Sequence, residues 1–390
     1  MSSSPDPDRN FALESLRSAT ASPDEHARAW KQRTGSGVVG TFCSYVPEEV
    51  IIAAGALPFR ILQVPGEFGR ADASLQAYAC CLARGALELG LADGLEFLDG
   101  VIFSNTCDTM QCLADIWSAD LGGDGGGFVE TFMMPVHVSH SAAREYVMGE
   151  IQRLIDALGG HLGVAIATEA LSEAVNACRD ARGAMAKLHE IQRGPSPVLT
   201  ARQYYDATMA RWVLTPTDYT PLIDAVVADS QTLERVGPRI VIAGGPMYAP
   251  ALPELLDDLG ACWVADDLCT ACRPSSGKLE ASQDPVAAIA DRLLSRPPCP
   301  AKHLTDYDPG KAVVDVAREA SADGVLVYRL KFCEPHSFDY PRVKEALDAA
   351  GLPSLLVEVE TPSSSVGQLR TRLQAFLEML ADPAVSGARA

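Results

Sequence analysis

Cys80, Cys107 and Cys333 are the residues of this 390-residue chain whose surroundings most resemble a reactive centre, because each sits where an apolar run gives way to a polar connection. Cys107 follows Val101-Ile102-Phe103 within Ser104-Asn105-Thr106-Cys107-Asp108-Thr109, and Cys333 follows Val325-Leu326-Val327 in the same manner. The carboxyl ends of parallel strands are where open α/β sheets gather their reactive groups. Soft thiolates brought together there suit iron-sulfur or zinc better than hard, oxygen-seeking cations. A second thiol feature, Cys269-Thr270-Ala271-Cys272, is a lone CxxC. A redox dithiol wants that motif at a helix start and structural zinc wants a second such pair, which the chain lacks. Cys178 and Cys262 read as small core residues, the common fate of a free cysteine.

Other familiar signatures are missing. No GxGxxG follows a strand, so an ordinary nicotinamide enzyme has no support. Neither HExxH nor GxSxG occurs, and Ser276-Gly277-Lys278-Leu279 lacks the earlier glycine and the following Ser or Thr of a phosphate loop, so it reads as a plain loop.

The elements that must position the cysteines follow from hydrophobic periodicity. Residues 1–37 read as a loosely packed helical or irregular leader, charged and rich in Ser and Ala. Residues 38–138 read as a first α/β lobe. It opens with a strand from Val38 and a helix Glu48 to Ala54, with Pro47 at its first position and Gly55 as its C-cap. A strand about Ile61 to Val64, a helix about Ala73 to Leu91, a strand Gly100 to Phe103 and a helix Asp108 to Trp117 capped by Asp108 come next. A Gly-rich loop, Gly122 to Gly127, and a strand Thr131 to Val136 end the lobe. Residues 139–215 lose strand signals and keep helical spacing. Residues 216–390 then repeat the first pattern, with strands at Arg239 to Gly245, Cys262 to Ala265, Gly324 to Tyr328 and Ser354 to Val359. Their helices are expected at Ala251 to Leu259, Pro285 to Leu294, Pro341 to Ala350 and Gly367 to Ala381. The expected fold is α/β: two flavodoxin-like parallel-sheet lobes with a helical insert between them.

Composition narrows the function. Thirty-two Lys and Arg against 51 Asp and Glu give a net charge of −19, which opposes unaided binding to a phosphate backbone, so nucleic acid is not an expected partner. The opening Met1-Ser2-Ser3-Ser4-Pro5-Asp6 has no basic n-region ahead of an apolar stretch, and no segment reaches the roughly 20 apolar residues of a membrane span. The expectation is a cytoplasmic protein with no membrane partner, whose odd number of cysteines, eleven, is kept reduced.

Three segments, Cys80-Cys81-Leu82-Ala83-Arg84, Asn105-Thr106-Cys107-Asp108 and Lys331-Phe332-Cys333-Glu334-Pro335-His336, carry a resemblance, and others extend it. These are Tyr45-Val46-Pro47-Glu48-Glu49-Val50-Ile51 with Ala53-Ala54-Gly55, Gly244-Gly245-Pro246 with Asp266-Asp267-Leu268-Cys269, and Thr371-Arg372-Leu373-Gln374-Ala375-Phe376. From about Val38 onward the chain resembles the 2-hydroxyacyl-CoA dehydratase and benzoyl-CoA reductase family. The resemblance implies a 4Fe-4S cluster held by Cys80, Cys107 and Cys333, with Cys81 and then Cys43 as alternatives to Cys80. It places Glu49 as an acid or base, or as a group lining the thioester pocket; the other reading of Glu49 is a helix N-terminal carboxylate favoured by the dipole. His336 is expected either to tune the cluster by a hydrogen bond or to be a polar loop residue. Arg84 and Arg372 are either CoA-phosphate partners or ordinary surface arginines.

Three thiolates rather than four leave one iron free to act as a Lewis acid, and such clusters reach the low potential that acyl-CoA reduction needs. The resemblance implies one-electron reduction of an acyl-CoA thioester to a ketyl radical. It also implies a homologous sister subunit and a separate ATP-hydrolysing iron-sulfur activator protein. Alternatives left open are a non-catalytic electron-relay subunit, a double-cubane homodimer and a metal-free α/β protein.

Overall fold

Short apolar runs bounded by glycine and proline become parallel strands, and the amphipathic stretches between them become helices on the sheet faces. The computed structural model describes residues 7–122, 127–229, 231–233, 237–277, 283–361 and 366–382. Two leading helices, α1 (Pro7–Ala21) and α2 (Pro23–Thr34), precede the first lobe. That lobe contains β1 (Val38–Thr41), α3 (Glu48–Ala53), β2 (Leu57–Arg60), α4 (Ala71–Ser74), α5 (Cys81–Leu91), β3 (Gly100–Ser104), α6 (Asp108–Asp120) and β4 (Phe128–Phe132). Four helices follow: α7 (Ala143–Leu162), α8 (Thr168–Arg193), α9 (Ala201–Ala210) and α10 (Pro216–Ala228). The second lobe begins with β5 (Arg239–Gly244), α11 (Ala251–Asp258), β6 (Cys262–Leu268), α12 (Cys272–Ser275), α13 (Pro285–Ser295) and α14 (Pro309–Glu319). It ends with β7 (Gly324–Leu330), α15 (Glu334–Ala349), β8 (Ser354–Val359) and α16 (Val366–Ala381).

Both sheets are wholly parallel, and their orders, β2-β1-β3-β4 and β6-β5-β7-β8, are the same winding. A 2-1-3-4 order is the flavodoxin-like one, and its switch point lies between the first and third strands. Alternation along the strands sends neighbouring side chains into different cores. Val38, Val101 and Phe103 of the first sheet join Ile240, Ile242, Leu326 and Tyr328 of the second in one shared core. Val39 and Ile102 face a separate cluster under α7 and α13, and Val241, Val325 and Val327 face a third under α14 and α15. The two lobes are thus joined by a common hydrophobic layer.

Several expectations are corrected. The leader is packed, since Ala12, Leu16 and Ala19 are buried in the shared core and Arg9 donates to the Val198 carbonyl at 2.6 Å. The strand expected at Ile61 to Val64 lies at Leu57–Arg60, where the Val38–Thr41 backbone offers its partners. The helix expected over Ala73 to Leu91 is broken after Ser74 and restarts at Cys81. Pro47 caps α3 from outside rather than occupying its first turn, and Gly55 lies one residue past the C-cap, at φ +77°. Helix α14 has no counterpart among the expected elements, and α15 starts at Glu334 rather than Pro341. Of the Gly-rich loop, residues 123–126 lie outside the described residues, as do Lys278 and Leu279 of the segment that partly resembles a phosphate loop. Among the described residues no helix is long and apolar enough to cross a membrane.

Candidate functional site

The three cysteines occupy one kind of position: each is the N-cap of a helix. Cys80 caps α5, Cys107 caps α6 and Cys333 caps α15, all with extended backbone. Cys107 and Cys333 each stand three residues beyond a third strand, β3 or β7, so both lie at the carboxyl edge of a sheet beside its switch point. Asp108, expected as the cap of α6, is its first helical residue instead. The free amides and dipole of a helix N-terminus favour negative charge, which is why such positions suit thiolates.

The thiols also share an environment. Cys80 is buried in the core common to both lobes, and Cys107 and Cys333 pack against that same core. Burial pushes the Cys80 thiol up, opposed by the amides of Ala83 and Leu82. Burial likewise holds Cys107 at about 11, with the charges of Cys80 and Cys43 adding to it and the Met110 amide opposing. Cys333 is pushed well up by burial and then by Cys80, with Cys299 and Cys107 adding, while the His336 amide opposes. Cys107 and Cys333 therefore both feel Cys80. Without a bound cation these groups are protonated thiols, and a metal would have to displace their protons.

Other cysteines have partners of their own, although Cys43 also acts on Cys107 and Cys299 on Cys333. Cys81, the first residue of α5, points its Sγ at the Tyr248 hydroxyl, 3.7 Å away, and burial raises it to about 12. Cys272 donates to the Asp266 carbonyl at 2.9 Å, and the Cys269 carbonyl accepts from Arg60 at 3.2 Å. Cys178 and Cys262 are buried, as expected of core residues. Cys43 and Cys299 interact with one another, and the Cys299 amide donates to the Tyr45 hydroxyl at 3.2 Å.

Phe332 adopts φ +64°, which is rare for a bulky side chain and marks the turn that delivers Cys333. The Cys333 amide closes that turn on the Leu330 carbonyl at 3.0 Å. Lys302 ties the Cys107 loop to the second lobe by donating to the carbonyls of Asn105 at 2.6 Å and Met134 at 2.9 Å. Burial, with Arg273 adding, holds the His336 imidazole down at about 3, so it is neutral, and its ring lies against Gly245.

Glu49 is placed differently from the thiols. Its carboxylate is 1% exposed and accepts from Arg182 at 2.6 Å and from Arg292 at 3.3 Å. Burial would raise its pKa, but Arg182 and Arg292 overcome that and hold it at about 2. Glu48, Glu49 and Cys178 bring ligand atoms within 4.8 Å of one another. Arginines 182, 211 and 292 already meet those carboxylates, so a cation would enter against positive charge. Arg84 is committed to Asp72 by bonds of 2.7 to 2.9 Å and stacks on Phe68, and Arg372 donates to the Leu356 carbonyl at 2.7 Å. Arg84 is thus already paired with a carboxylate. The arginines that meet Glu48 and Glu49 had no signal in the sequence, because they lie more than a hundred residues away from those carboxylates along the chain.

A two-lobed α/β protein with cysteine caps at both switch points is the class that fold and site define. The chain belongs to the family of the 2-hydroxyglutaryl-CoA dehydratase D-component, whose model matches residues 43–380. It is 28% identical to lactoyl-CoA dehydratase subunit beta of Anaerotignum propionicum over 94% of this chain and 98% of that protein. It is 25% identical to (R)-2-hydroxyglutaryl-CoA dehydratase subunit beta of Acidaminococcus fermentans, over 94% of this chain and 98% of that one. With a benzoyl-CoA reductase subunit of Thauera aromatica it shares 24% identity over 91% and 94%.

Proposed function

We propose that this chain is the iron-sulfur subunit of a 2-hydroxyacyl-CoA dehydratase, with an aromatic acyl-CoA reductase as the alternative within the same family. The observation that carries the reading is the recurrence of one arrangement three times, a cysteine at a helix N-cap against one core, with Cys107 and Cys333 both feeling the charge of Cys80. Soft donors, converging helix dipoles and burial together fit a 4Fe-4S cluster. Cys80, Cys107 and Cys333 would hold it. When bound, such a group supplies low-potential electrons and an open Lewis-acid position.

The chain's own residues do the rest. The three helix N-termini stabilise anionic sulfur, the surrounding core excludes water, and Lys302 fixes the Cys107 loop against the second lobe. Glu49, paired on both sides by arginine, acts as a positioning residue that anchors the start of α3, not as a proton carrier. A sister subunit and an ATP-hydrolysing activator complete the proposed enzyme, since the relatives named as beta subunits belong to multi-subunit dehydratases.

Anaerobic purification followed by iron and sulfide analysis tests this directly. About four iron per chain and a brown absorbance are expected, both lost in Cys80→Ser and kept in Cys81→Ser. Iron-free protein, or iron that survives Cys80→Ser, overturns the assignment. A spectrum that shifts on adding acyl-CoA would mark the substrate-binding subunit, and one that does not would mark an electron relay.

A further inference from the structure

A buried layer at the carboxyl edge of the first sheet holds more positive than negative charge. Five guanidinium groups, those of Arg60, Arg182, Arg211, Arg292 and Arg296, are at least nine-tenths buried there, and they meet two carboxylates, Glu48 and Glu49. Glu48 takes Arg182 and Arg211, and Glu49 takes Arg182 and Arg292. Among the described residues no carboxylate pairs with Arg60 or Arg296. Arg60 donates to the carbonyls of Cys269 at 3.2 Å and Phe42 at 3.4 Å, meets the Cys269 thiol, and stacks over Trp212 at 4.3 Å. Arg211 Nε and Nη1 and Arg292 Nε are buried without any hydrogen-bond partner.

Arg60, Arg211 and Arg292 help line a niche of about 20 Å³, enough for one small oxygen group, together with Thr41, Cys43, Ser44 and Glu48. Arg60 and Trp212 line both this niche and a larger cavity of about 280 Å³, whose walls include Leu62, Val64, Met209, Val213 and Tyr248. A cation left unpaired in a protein interior costs several kcal/mol, and a guanidinium fork matches a carboxylate with two parallel bonds. Glu48 in the niche wall disfavours a dianion such as phosphate, and the apolar cavity next door wants hydrocarbon. Burial, with Arg182 and Arg296 adding, already depresses Arg292 to about 10, so an anion would relieve it.

We propose that niche and cavity together form a binding site for a small carboxylate with an apolar body, its charged end on Arg60 and Arg211 and its hydrocarbon against Met209 and Tyr248. The carboxylate could belong to a free acid or to the far end of an acyl thioester. The site stands on charge and cavity alone and does not depend on the cluster.

Calorimetric titration of the full-length chain, with iron measured on the same samples, tests it. Hexanoate should bind at least about tenfold more tightly than hexan-1-ol, and Arg60→Gln should erase that preference while Arg60→Lys keeps part of it. Met209→Trp, which fills the cavity, should weaken hexanoate by a similar factor. Glutaryl-CoA binding better than butyryl-CoA would assign the carboxylate to a thioester, and equal binding would assign it to a free acid. Hexanoate no tighter than hexan-1-ol, or a preference that survives Arg60→Gln, overturns the proposal. If Arg60→Gln does not fold, hexanoate binding undiminished in Met209→Trp overturns it instead. Iron-free protein that still binds hexanoate overturns the cluster and leaves this site standing.

Discussion

The two lobes share one winding but spend their cysteines differently. In each, the third strand ends three residues before a cysteine that caps a helix, Ser104 before Cys107 and Leu330 before Cys333. They diverge after the second strand. The first lobe follows β2 with a long excursion through α4 that ends at Cys80, whose charge both Cys107 and Cys333 feel. The second lobe follows β6 at once with Cys269 and Cys272, and the Cys272 thiol turns back onto the Asp266 carbonyl of its own strand. One topology therefore offers equivalent positions, and the length of a connection decides which of them reaches the centre.

The largest expected effect tests that equivalence. Cys107→Ser and Cys333→Ser should each lower iron affinity by well over about tenfold, since even groups behind the ligands are worth 10- to 100-fold. Cys272→Ser should leave bound iron at the parent level. Iron analysis that ranks Cys272→Ser beside Cys333→Ser would break the distinction between the lobes.

A second contrast lies in the helices that follow the first strands. Glu49 in the first turn of α3 is buried between Arg182 and Arg292, whereas Glu254 in the first turn of α11 meets Arg202 at the surface, half exposed. Removing one partner of a buried ionic network costs about 3–5 kcal/mol, and an exposed pair is worth about 0–1 kcal/mol. Urea melts should therefore separate Glu49→Ala from Glu254→Ala by several kcal/mol. The pH dependence has a definite sign. Folding lowers the Glu49 pKa from 4.5 to about 2, so its contribution is complete above 4.5 and fades as pH falls toward 2. Stability measured from pH 6 down to 3 should fall less steeply in Glu49→Gln than in the parent.

The same contrast explains what could be read from the chain. Strand β8 was legible to the residue, because Leu355-Leu356-Val357 and Val359 form a short apolar stretch that opens just after Pro353 and closes before Glu360. Cys107 and Cys333 were legible because local pattern places them just past strands. Strand β2 was misplaced because apolar residues continue through Ile61 and Leu62, and only its pairing with β1 fixes where it starts and stops. The break at Cys80 was missed for a similar reason, since residues 75–80 carry no proline or glycine to announce it. The arginine layer was beyond reach. Glu49 is 133 residues from Arg182 and 243 from Arg292, and spacing along the chain says nothing about such pairs.

A third contrast concerns how the first strands end. Strand β5 ends at Gly244, with φ +127°, where an added Cβ would lie 2.1 Å from the Tyr328 carbonyl oxygen. Strand β1 ends at Thr41, which tolerates a side chain. Gly244→Ala should cost about 1–3 kcal/mol through backbone strain and the displaced β7 contact. Gly55→Ala, at φ +77° with open space around it, should cost only the dihedral part, about 1 kcal/mol. Equal midpoints for the two variants would show that the approach of β5 to β7 is looser than the geometry states.

The smallest effect lies in the two turns that present the switch-point cysteines. Residues Asn105 and Thr106 reach Cys107 without positive φ, and the Thr106 amide bonds the Ser104 carbonyl at 2.8 Å. The second lobe reaches Cys333 through Phe332 at φ +64°. A left-handed backbone costs a bulky residue about 1–2 kcal/mol, and asparagine less because its short side chain bonds locally. Phe332 is 38% exposed and its ring meets Lys331 Nζ at 5.0 Å, a contact worth about 0.5–1 kcal/mol at an exposed site. Phe332→Asn should therefore raise stability by up to about 1 kcal/mol, seen as a higher urea midpoint at unchanged slope, with bound iron unaltered. A loss of more than about 1 kcal/mol would mean that packing of the ring outweighs the strain, and the turns of the two lobes would then differ by contact rather than by backbone.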